Sequence, residues 1–348
     1  MIRVLIVDDS AVLRQQIRFI LQTDPALQVV GEARNGEEAI SLARQLRPNV
    51  ITMDLRMPKM DGFGAIRSIM AENPVPIVVI SSDAAEPNNE MVTQALKMGA
   101  VSVLRKPGGI TDPGYKAMAG KIIDQVKLMS QVKVVTRSRT LTSPLAEAHP
   151  PAAVARAVPS QKTELLAIGS STGGPAALYR VLGGLPAACP VPVVIVQHIA
   201  LGFISGLASW LAGGCPLQVK VGEHGERLQA GTVYLGADGT HMVVDSYGRI
   251  RLRQGETVDG HRPSVTVLFR SVAESYGPSA MGVIMTGMGA DGASGLKAMR
   301  DSGAITIGQD QASCVVFGMP KEAIALGAVK HVVPLDKIAR TVLDTMIV

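Results

Sequence analysis

The chain has 348 residues, 47% of them hydrophobic and 18% charged, and a mean hydropathy of +0.26, which favours about two domains with apolar cores and excludes wholesale disorder. No apolar run approaches the roughly 20 residues of a membrane span, and aspartates interrupt the N-terminal apolar run by position 9, so we expect no membrane insertion and no signal peptide core. The three cysteines are an odd and sparse set, which favours reduced thiols and therefore a cytoplasmic protein. Residues 131–163 carry +4 of the net charge of +5. A folded nucleic-acid-binding domain concentrates its basic charge on one face, so we expect no nucleic-acid partner.

The first part of the chain alternates five times between strand and helix patterns. Its short apolar runs are typical of strands that are buried on both faces of a parallel sheet. The alternation predicts a (βα)5 doubly wound sheet, whose functional groups collect at the carboxyl ends of the strands. The runs lie at 4–7, 29–31, 50–53, 77–80 and 101–104, and the helical patterns begin near Ser10, Gly36, Gly62, Pro87 and Asp112.

A linker follows this block. From residue 131 to 163 the sequence turns to Pro, Ala, Ser and Thr without a sustained amphipathic period, a composition typical of linkers. We predict a first domain over 1–125, a linker over 126–163 and a second domain over 164–348.

The second domain also has an α/β pattern. LLAIGSSTGGPAAL at 165–178 predicts a strand, a glycine-rich turn and a helix, and PVVIVQH at 192–198 predicts another strand, before a helix through 205–210. Short β runs between 223 and 253 predict an antiparallel hairpin insertion. A helix from Pro263, the strand MGVIM at 281–285 and a helix entered through Asp291 follow. We expect a doubly wound, α/β hydrolase-like domain.

Polar side chains follow the strands of the first block. Asp8 and Asp9 come after the first strand and Asp54 after the third, and such neighbouring carboxylates are usually held by a hard cation such as Mg²⁺. Ser81 and Lys106 stand at two further strand ends. We predict a phosphoryl pocket in which Asp54 is the acceptor, Mg²⁺ and Lys106 neutralise the oxygens, and Ser81 reports occupancy. Helix capping is an equal explanation for Asp9 alone, but not for all five residues.

These residues lie in segments that resemble the receiver domain of two-component response regulators. The segments are VDDS at 7–10, MDLRMPKMDG at 53–62, ISS at 80–82 and LRKP at 104–107. The resemblance covers residues 1–125 and implies phosphotransfer from a histidine kinase to Asp54. It also implies that Asp9 and Asp54 are the principal metal ligands, supported by Asp8, and that the peptide bond before Pro107 is cis.

The turn GSSTGG at 169–174 permits two interpretations. Its glycines and the helix N-terminus behind it suit an exposed nucleophilic serine beside oxyanion donors. A phosphate loop is equally compatible, although the turn is not a complete GxGxxG pattern. His198 ends a strand of the same block and Asp291 follows another strand in a glycine-rich turn. Ser171, His198 and Asp291 can therefore form a nucleophile, a base and an orienting carboxylate.

The second domain resembles the chemotaxis protein-glutamate methylesterase family, CheB. The matching segments are IGSSTGG at 168–174, VQH at 196–198, HRPSV at 261–265, TGMGADGA at 286–293 and ASCVVFGMP at 312–320. The resemblance implies that Ser171 is the nucleophile, His198 the general base and Asp291 its orienting partner. It makes the backbone N–H of Met288 a candidate oxyanion donor and implies no cofactor at the esterase site. Ser170 stands where alanine is common in the family.

Together the two resemblances imply a phosphorylation-activated hydrolase. Its substrates would be glutamate γ-methyl esters, and specific glutamines, of chemoreceptors, and its phosphodonor a CheA-type histidine kinase. We expect the unphosphorylated receiver domain to cover the Ser171 cleft. Two other classes stay open: a phospho-switched binding module without useful turnover, and a nucleotide-binding regulator that uses GSSTGG as a phosphate loop. Ester hydrolysis that depends on Ser171 excludes the first, and nucleotide titration tests the second.

Overall fold

The computed structural model of the chain describes residues 1–81, 94–95, 98, 102–109, 111–132 and 162–346. Within these ranges the chain forms two α/β domains, each built on a parallel sheet. The helix predicted near Pro87 and most of the predicted linker lie outside the described residues.

The first domain has a five-stranded sheet in the order β2-β1-β3-β4-β5, and all its strand pairs are parallel. Every residue of β3 and β4 is buried, in agreement with the continuous apolar runs that predicted them. The elements are β1 (Ile2–Val7), α1 (Ala11–Gln22), β2 (Leu27–Ala33), α2 (Gly36–Leu46), β3 (Val50–Met53), α3 (Gly62–Glu72), β4 (Ile77–Ser81), β5 (Ser102–Arg105) and α4 (Tyr115–Met129).

The first domain extends beyond residue 125, where the sequence placed its boundary. Helix α4 continues to Met129, and the side chains of Val126, Met129 and Val132 are buried in the same cluster as Val4. The apolar face of α4 covers the sheet, so the helix belongs to the first domain for its whole length.

The expected cis bond before Pro107 is absent. Among the described residues the one cis peptide bond joins Arg262 to Pro263 in the second domain. Because trans is the lower-energy isomer of an isolated X–Pro bond, the trans form at Pro107 needs no further explanation.

The second domain has a seven-stranded sheet in the order β14-β13-β12-β6-β7-β9-β8, again with parallel pairs throughout. Its elements are β6 (Leu165–Ser170), α5 (Gly174–Gly183), β7 (Val193–Gln197), α6 (Ile204–Ala212), β8 (Gln218–Val221), β9 (Thr232–Leu235), β10 (His241–Val244), β11 (Ile250–Arg253), α7 (Val265–Tyr276), β12 (Ala280–Ile284), α8 (Ala293–Asp301), β13 (Ile305–Gln309), α9 (Met319–Ala325), β14 (His331–Val333) and α10 (Leu335–Thr345).

The hairpin insertion is present but shorter than expected. Strands β10 and β11 pair antiparallel, as predicted. The first three residues of the run at 233–236, which the sequence pattern groups with them, lie in β9, and β9 pairs parallel with both β7 and β8. All four residues of β9 are buried, which is the property of a strand inside a parallel sheet rather than of an exposed hairpin.

Alternating residues of β6 supply two separate cores. Leu166 and Ile168 pack on the side covered by α5, α6 and α10, whereas Leu165 and Ala167 pack on the side covered by α7, α8 and α9. The sheet therefore lies between two helical layers. Strand β6 is also where the chain order reverses, with β7 on one side and β12 on the other. In open α/β sheets such a switch point creates the binding crevice at the carboxyl edge.

No helix in the described ranges is both long and apolar enough to cross a membrane.

A substitution at Gly169 tests how closely α7 packs against the sheet. A Cβ at this position would lie 2.2 Å from Cγ1 of Val265 and 3.2 Å from Cζ of Phe269. We expect Gly169→Ala to lower the free energy of unfolding of the second domain by about 1 to 3 kcal/mol through overpacking. Urea denaturation followed by the fluorescence of Trp210, the only tryptophan in the chain, measures this.

The matched control is Gly183→Ala, at the exposed end of α5, where the nearest atom to an added Cβ is 3.5 Å away. This change is expected to leave stability equal or slightly higher, because alanine is the better helix former. Equal midpoints for the two variants would contradict the packing argument.

Candidate active site

Ser171, His198 and Asp291 all lie at the carboxyl edge of the second sheet. Ser171 directly follows β6, His198 follows β7, and Asp291 lies in the loop between β12 and α8. Backbone hydrogen bonds connect these segments, because His198 N donates to Ser170 O at 3.0 Å and Ser171 N donates to Thr286 O at 3.0 Å. The three predicted residues therefore lie at one edge of the sheet, beside its switch point.

Asp291 is a buried carboxylate with four hydrogen-bond donors. Its Oδ2 accepts from His198 Nε2 at 2.7 Å and from Val265 N at 2.8 Å. Its Oδ1 accepts from Ser264 Oγ at 2.7 Å and from Thr266 N at 2.8 Å. Three of the donors belong to the start of α7, so the carboxylate lies against a helix N-terminus, where negative charge is stabilised.

These donors control the ionisation of Asp291. Burial by itself would raise the pKa of its carboxyl group, but the hydrogen bonds from His198, Thr266 and Ser264 outweigh burial and hold the pKa well below its usual range. The carboxylate is therefore charged at neutral pH, and His198 Nε2 must carry the hydrogen that lies between them.

The tautomer of His198 follows from this contact. With the hydrogen on Nε2, the lone pair of a neutral imidazole is on Nδ1. His198 Nδ1 is buried, and within the described part of the chain no group forms a hydrogen bond with it. The nitrogen that carries the lone pair is therefore not occupied by a donor from the described residues, as a general base requires.

A second set of polar residues supports Asp291, and the sequence analysis did not identify it. Ser264 caps α7, with its Oγ accepting from Val267 N, while its own backbone N–H donates to His241 Nδ1 at 3.3 Å. His241 Nε2 in turn donates to the carbonyl of Glu256 at 2.8 Å. The segment HRPSV contains Ser264, but a serine before an apolar run predicts a helix cap and nothing more.

His261 stacks on His198. The ring centroids are 3.6 Å apart and the rings are nearly parallel, with an angle of 8° between their planes. Burial, together with the proximity of His198, lowers the pKa of His261 to about 4. His261 therefore stays neutral at pH 7 and covers one face of the His198 ring without adding charge. The sequence offered no signal for this contact, because the two histidines are on different elements.

The turn after β6 has the geometry of a nucleophile elbow. Gly173 precedes α5 with φ of +78°, in the left-handed region that favours glycine. Gly174 N donates to Ser171 O at 2.8 Å, and Ser171 N is already bonded to Thr286 O. Two N–H groups of the turn are thus used inside the protein, which argues against a phosphate loop.

Met288 lies beside this elbow. The preceding Gly287 is so close to Ser171 that a Cβ on it would be 2.7 Å from Ser171 Cβ. The Gly287 N–H donates to Val316 O at 3.0 Å. The Met288 side chain is 46% exposed. The role of its backbone N–H as an oxyanion donor stays a prediction.

The first domain carries a second polar site at the carboxyl edge of its own sheet. Asp8, Asp9 and Asp54 each offer a carboxylate oxygen, and these oxygens lie within 4.8 Å of one another. Lys106 Nζ is 2.9 Å from Asp8 Oδ2 and 2.8 Å from Asp54 Oδ2. Ser81 is fully buried at the end of β4, and its carbonyl accepts from Lys106 N. All five residues predicted for the phosphoryl pocket thus meet at one edge.

Lys106 offsets part of the effect of burial and charge repulsion in this pocket, and the pKa of the Asp54 carboxyl group is raised on balance. Burial raises the pKa of the Asp54 carboxyl group, and the charge of Asp8 adds to this, while Lys106 opposes both. For Lys106, burial alone would lower the pKa, but its bonds to Asp54 and Asp8 outweigh burial and raise it. An oxygen-rich, negatively charged set of this kind suits a hard cation such as Mg²⁺.

Comparisons with known proteins agree with the two-domain description. Residues 166–342 match the family model of the CheB methylesterase, and residues 4–112 match that of the response regulator receiver domain. The chain is 46% identical to "Protein-glutamate methylesterase/protein-glutamine glutaminase 1" of Syntrophus aciditrophicus, over 98% of this chain and 97% of that protein. It is 45% identical to "Protein-glutamate methylesterase/protein-glutamine glutaminase 4" of Myxococcus xanthus, over 97% and 95%.

Among solved structures, the CheB methylesterase catalytic domain of Thermotoga maritima matches with a TM-score of 0.52 and 35% identity. The match covers 53% of this chain and 99% of that domain. The coverage corresponds to the second domain.

The neutral state of His261 predicts a pH dependence of stability. Its pKa is about 4 in the folded protein against 6.5 in the unfolded chain, so below pH 6.5 the unfolded chain binds a proton that the folded protein does not. The free energy of unfolding should therefore fall as pH decreases from 6.5 towards 4. Between pH 7.5 and 5 the unmodified protein should lose about 1 to 2 kcal/mol more than His261→Phe, which keeps a stacked ring without a titrating group. Urea denaturation at the two pH values measures the difference, and equal losses would contradict a neutral, half-buried His261.

Proposed function

This chain belongs to the CheB methylesterase family, and we propose that its second domain hydrolyses glutamate γ-methyl esters of chemoreceptors, and deamidates specific glutamines, through Ser171, His198 and Asp291. The observation that carries the assignment of residues is the contact between His198 Nε2 and Asp291 Oδ2. It orients the imidazole, determines its tautomer and places a negative charge where an imidazolium forms. A module that only binds its partners has no use for such a buried pair.

The reaction follows from the tautomer of His198. Ser171 Oγ attacks the ester carbonyl carbon while its proton passes to His198 Nδ1, and Asp291 stabilises the imidazolium. The carbonyl oxygen becomes an oxyanion, for which the Met288 N–H is the candidate donor. The C–O bond to the methoxy group then breaks, and Nδ1 returns its proton to the departing oxygen, which leaves as methanol.

The acyl-enzyme is hydrolysed by the same groups. Water gives a proton to His198 Nδ1 as its oxygen attacks the acyl carbon, and the bond to Ser171 Oγ breaks as Nδ1 returns the proton to that oxygen. The product is a glutamic acid side chain, which releases its proton to solvent and becomes the carboxylate. A glutamine side chain presents the same acyl group, with ammonia as the leaving group, so one site serves both reactions.

The receiver domain supplies the control. We assign Asp54 as the phosphoryl acceptor and Asp9 and Asp54, with Asp8, as the residues that would hold Mg²⁺, because their carboxylate oxygens converge. Bound Mg²⁺ would neutralise phosphoryl oxygens. Lys106 would pair with the same phosphoryl oxygens, and Ser81 would respond to the presence of the phosphoryl group. A CheA-type histidine kinase is the proposed phosphodonor, and the cytoplasm, where the signalling helices of chemoreceptors lie, is the proposed location.

Contacts between the domains support the proposal that the unphosphorylated receiver covers the esterase cleft. Val103 of β5 contacts Phe203, which lies five residues after His198. Val315 and Val316 of the second domain pack against the receiver cluster under α4. Val315 also lies against the elbow, since a Cβ on Gly173 would be 2.5 Å from Val315 Cβ. The receiver surface thus reaches the segments that flank the nucleophile.

The proposed activity is tested by methanol release from methylated receptor membranes, with and without acetyl phosphate. The unmodified protein should release methanol, faster with the phosphodonor, and Ser171→Ala should not. Nucleotide binding in a titration, together with absence of methanol release, would favour the nucleotide-binding alternative.

Substitutions in the triad should reduce the rate strongly and non-additively. Ser171→Ala removes the acyl acceptor and His198→Ala removes the proton carrier, so we expect each to lower kcat by several orders of magnitude. The double variant should be little slower than either single variant, because the residues act as a unit. Asp291→Ala should cost less than either. Near-normal methanol release by Ser171→Ala would show that the nucleophile is assigned wrongly.

Removal of the receiver domain should raise the basal rate. Allosteric coupling energies are typically about 1 to 3 kcal/mol, so uncovering the cleft should activate the 146–348 fragment roughly 5- to 150-fold over the unphosphorylated full chain. Asp54→Ala in the full chain should keep the basal rate and lose the response to acetyl phosphate. A folded fragment that is slower than the full chain would show instead that the receiver assembles the site or recruits the substrate.

A further inference from the structure

One buried amide connects the nucleophile strand to the base strand. Gln197 is the last residue of β7 and is 2% exposed. Its Nε2 donates to Ser171 O and to His198 O, each at 2.7 Å. Its Oε1 accepts from Ser170 Oγ at 2.6 Å, and Ser170 is fully buried. A single side chain thus holds the peptide carbonyls of both Ser171 and His198.

Every hydrogen-bonding group of this amide that faces the strands has a partner. The two hydrogens of a primary amide are used by the two carbonyls, and the oxygen has the Ser170 hydroxyl. The opposite orientation of the amide would place Oε1 against two carbonyl oxygens, so the orientation is determined by its partners. Because the site is buried, the loss of one partner leaves a polar group without compensation.

The backbone at the start of α5 lies in direct contact with the Gln197 side chain. A Cβ on Gly174 would lie 1.9 Å from Gln197 Oε1 and 2.9 Å from Ser170 Oγ. Only glycine therefore lets α5 start so close to the amide. Ser171 O also accepts from Gly174 N at 2.8 Å, so the elbow is held from both directions.

We propose that Gln197 is a positioning residue for the hydrolytic reaction, which holds the Ser171 and His198 main chains at the separation that proton transfer between their side chains requires, and that Ser170 is its supporting partner. The inference rests on the proposed function. Gln197 touches no reacting atom and acts only through the peptide groups of Ser171 and His198.

The expected effect is on the chemical step. Proton transfer from Ser171 Oγ to His198 Nδ1 needs near-attack geometry, and displacement by about 1 Å can cost on the order of 100-fold in rate. The surface on which the receptor docks does not include the buried amide. A change at Gln197 should therefore lower kcat and leave KM nearly unchanged.

Gln197→Met tests the amide with a side chain of similar length. We expect kcat for methanol release to fall about 10- to 100-fold, with KM within about twofold of the unmodified protein. Ser170→Ala should lower kcat less, about two- to fivefold, because the two Nε2 bonds remain. In the Gln197→Met background Ser170→Ala should cost nothing further, since its partner is gone.

Gln197→Glu adds a second measurement, the pH dependence of kcat, which a purely structural role of Gln197 would not change. Burial raises the pKa of a carboxyl group. A protonated Glu at 197 can donate to one carbonyl, whereas an ionised one has no hydrogen for either. The ratio of its kcat to that of the unmodified protein should rise several-fold from pH 8 to pH 6. The corresponding ratio for Gln197→Met should stay constant.

Thr306→Val is the matched control. Thr306 is fully buried on β13, and its Oγ1 accepts from Lys330 N at 3.1 Å, away from the triad. It should lower the unfolding midpoint and leave kcat within twofold. A folded Gln197→Met with normal kcat and a lowered midpoint would overturn the proposal. If that variant does not fold, a pH-independent ratio for Gln197→Glu overturns it. Absence of methanol release by the unmodified protein would contradict the proposed function instead.

Discussion

The arrangement of the second domain depends on one buried negative charge. Asp291 is 1% exposed, and an ionised carboxylate at such a position costs several kcal/mol unless donors replace its water. The donors come from the first turn of α7 and from the ring of His198. Since these belong to different elements, satisfying the charge holds α7, the end of β7 and the loop after β12 together. The orientation of the His198 ring is thus one consequence of stabilising the buried charge of Asp291.

The receiver site also lies at the carboxyl edge of its sheet, but there several negative charges must be neutralised rather than one buried charge solvated. There the carboxylates of Asp8, Asp9 and Asp54 converge and need a positive charge, which Lys106 supplies from β5. In the esterase domain one carboxylate needs neutral donors and a histidine. Both sites occur where the strand order reverses, because neighbouring helices diverge there and leave the carboxyl edge open. One architecture therefore places a cluster of three carboxylates in one domain and a histidine–carboxylate pair in the other.

Buried polar side chains, more than apolar ones, align the segments around Ser171. Gln197 joins the ends of β6 and β7 through two hydrogen bonds, to Ser170 and Ser171, and a third holds the carbonyl of its neighbour His198. Thr286 joins the next pair of segments, with its Oγ1 donating to Thr172 O and accepting from Val316 N, both at 2.9 Å. Hydrogen bonds are directional, so these contacts specify relative positions that packing alone tolerates within a range. Val316 also packs against the receiver domain, so the same polar framework reaches the contact between the two domains.

The sequence by itself determined the features that depend on neighbours along the chain. Continuous apolar runs predicted β3, β4 and β7, because a strand buried on both faces needs no polar alternation, and the glycine-rich turn at 169–174 marked the elbow of Ser171. The residues at the ends of these strands followed from the rule that parallel strands end at one edge. Strand β9 was assigned to the hairpin because its four residues have the same local pattern as β10, and only its pairing with β7 and β8 distinguishes them. Four features were decided by the tertiary structure: the burial of Val132 in the first domain, the stacking of His261 on His198, the Ser264 donor to Asp291, and the hydrogen bonds from Gln197 to Ser171 and His198. Each of these is a contact between residues brought together by the folded sheet, and a contact of that kind leaves no periodicity in the sequence.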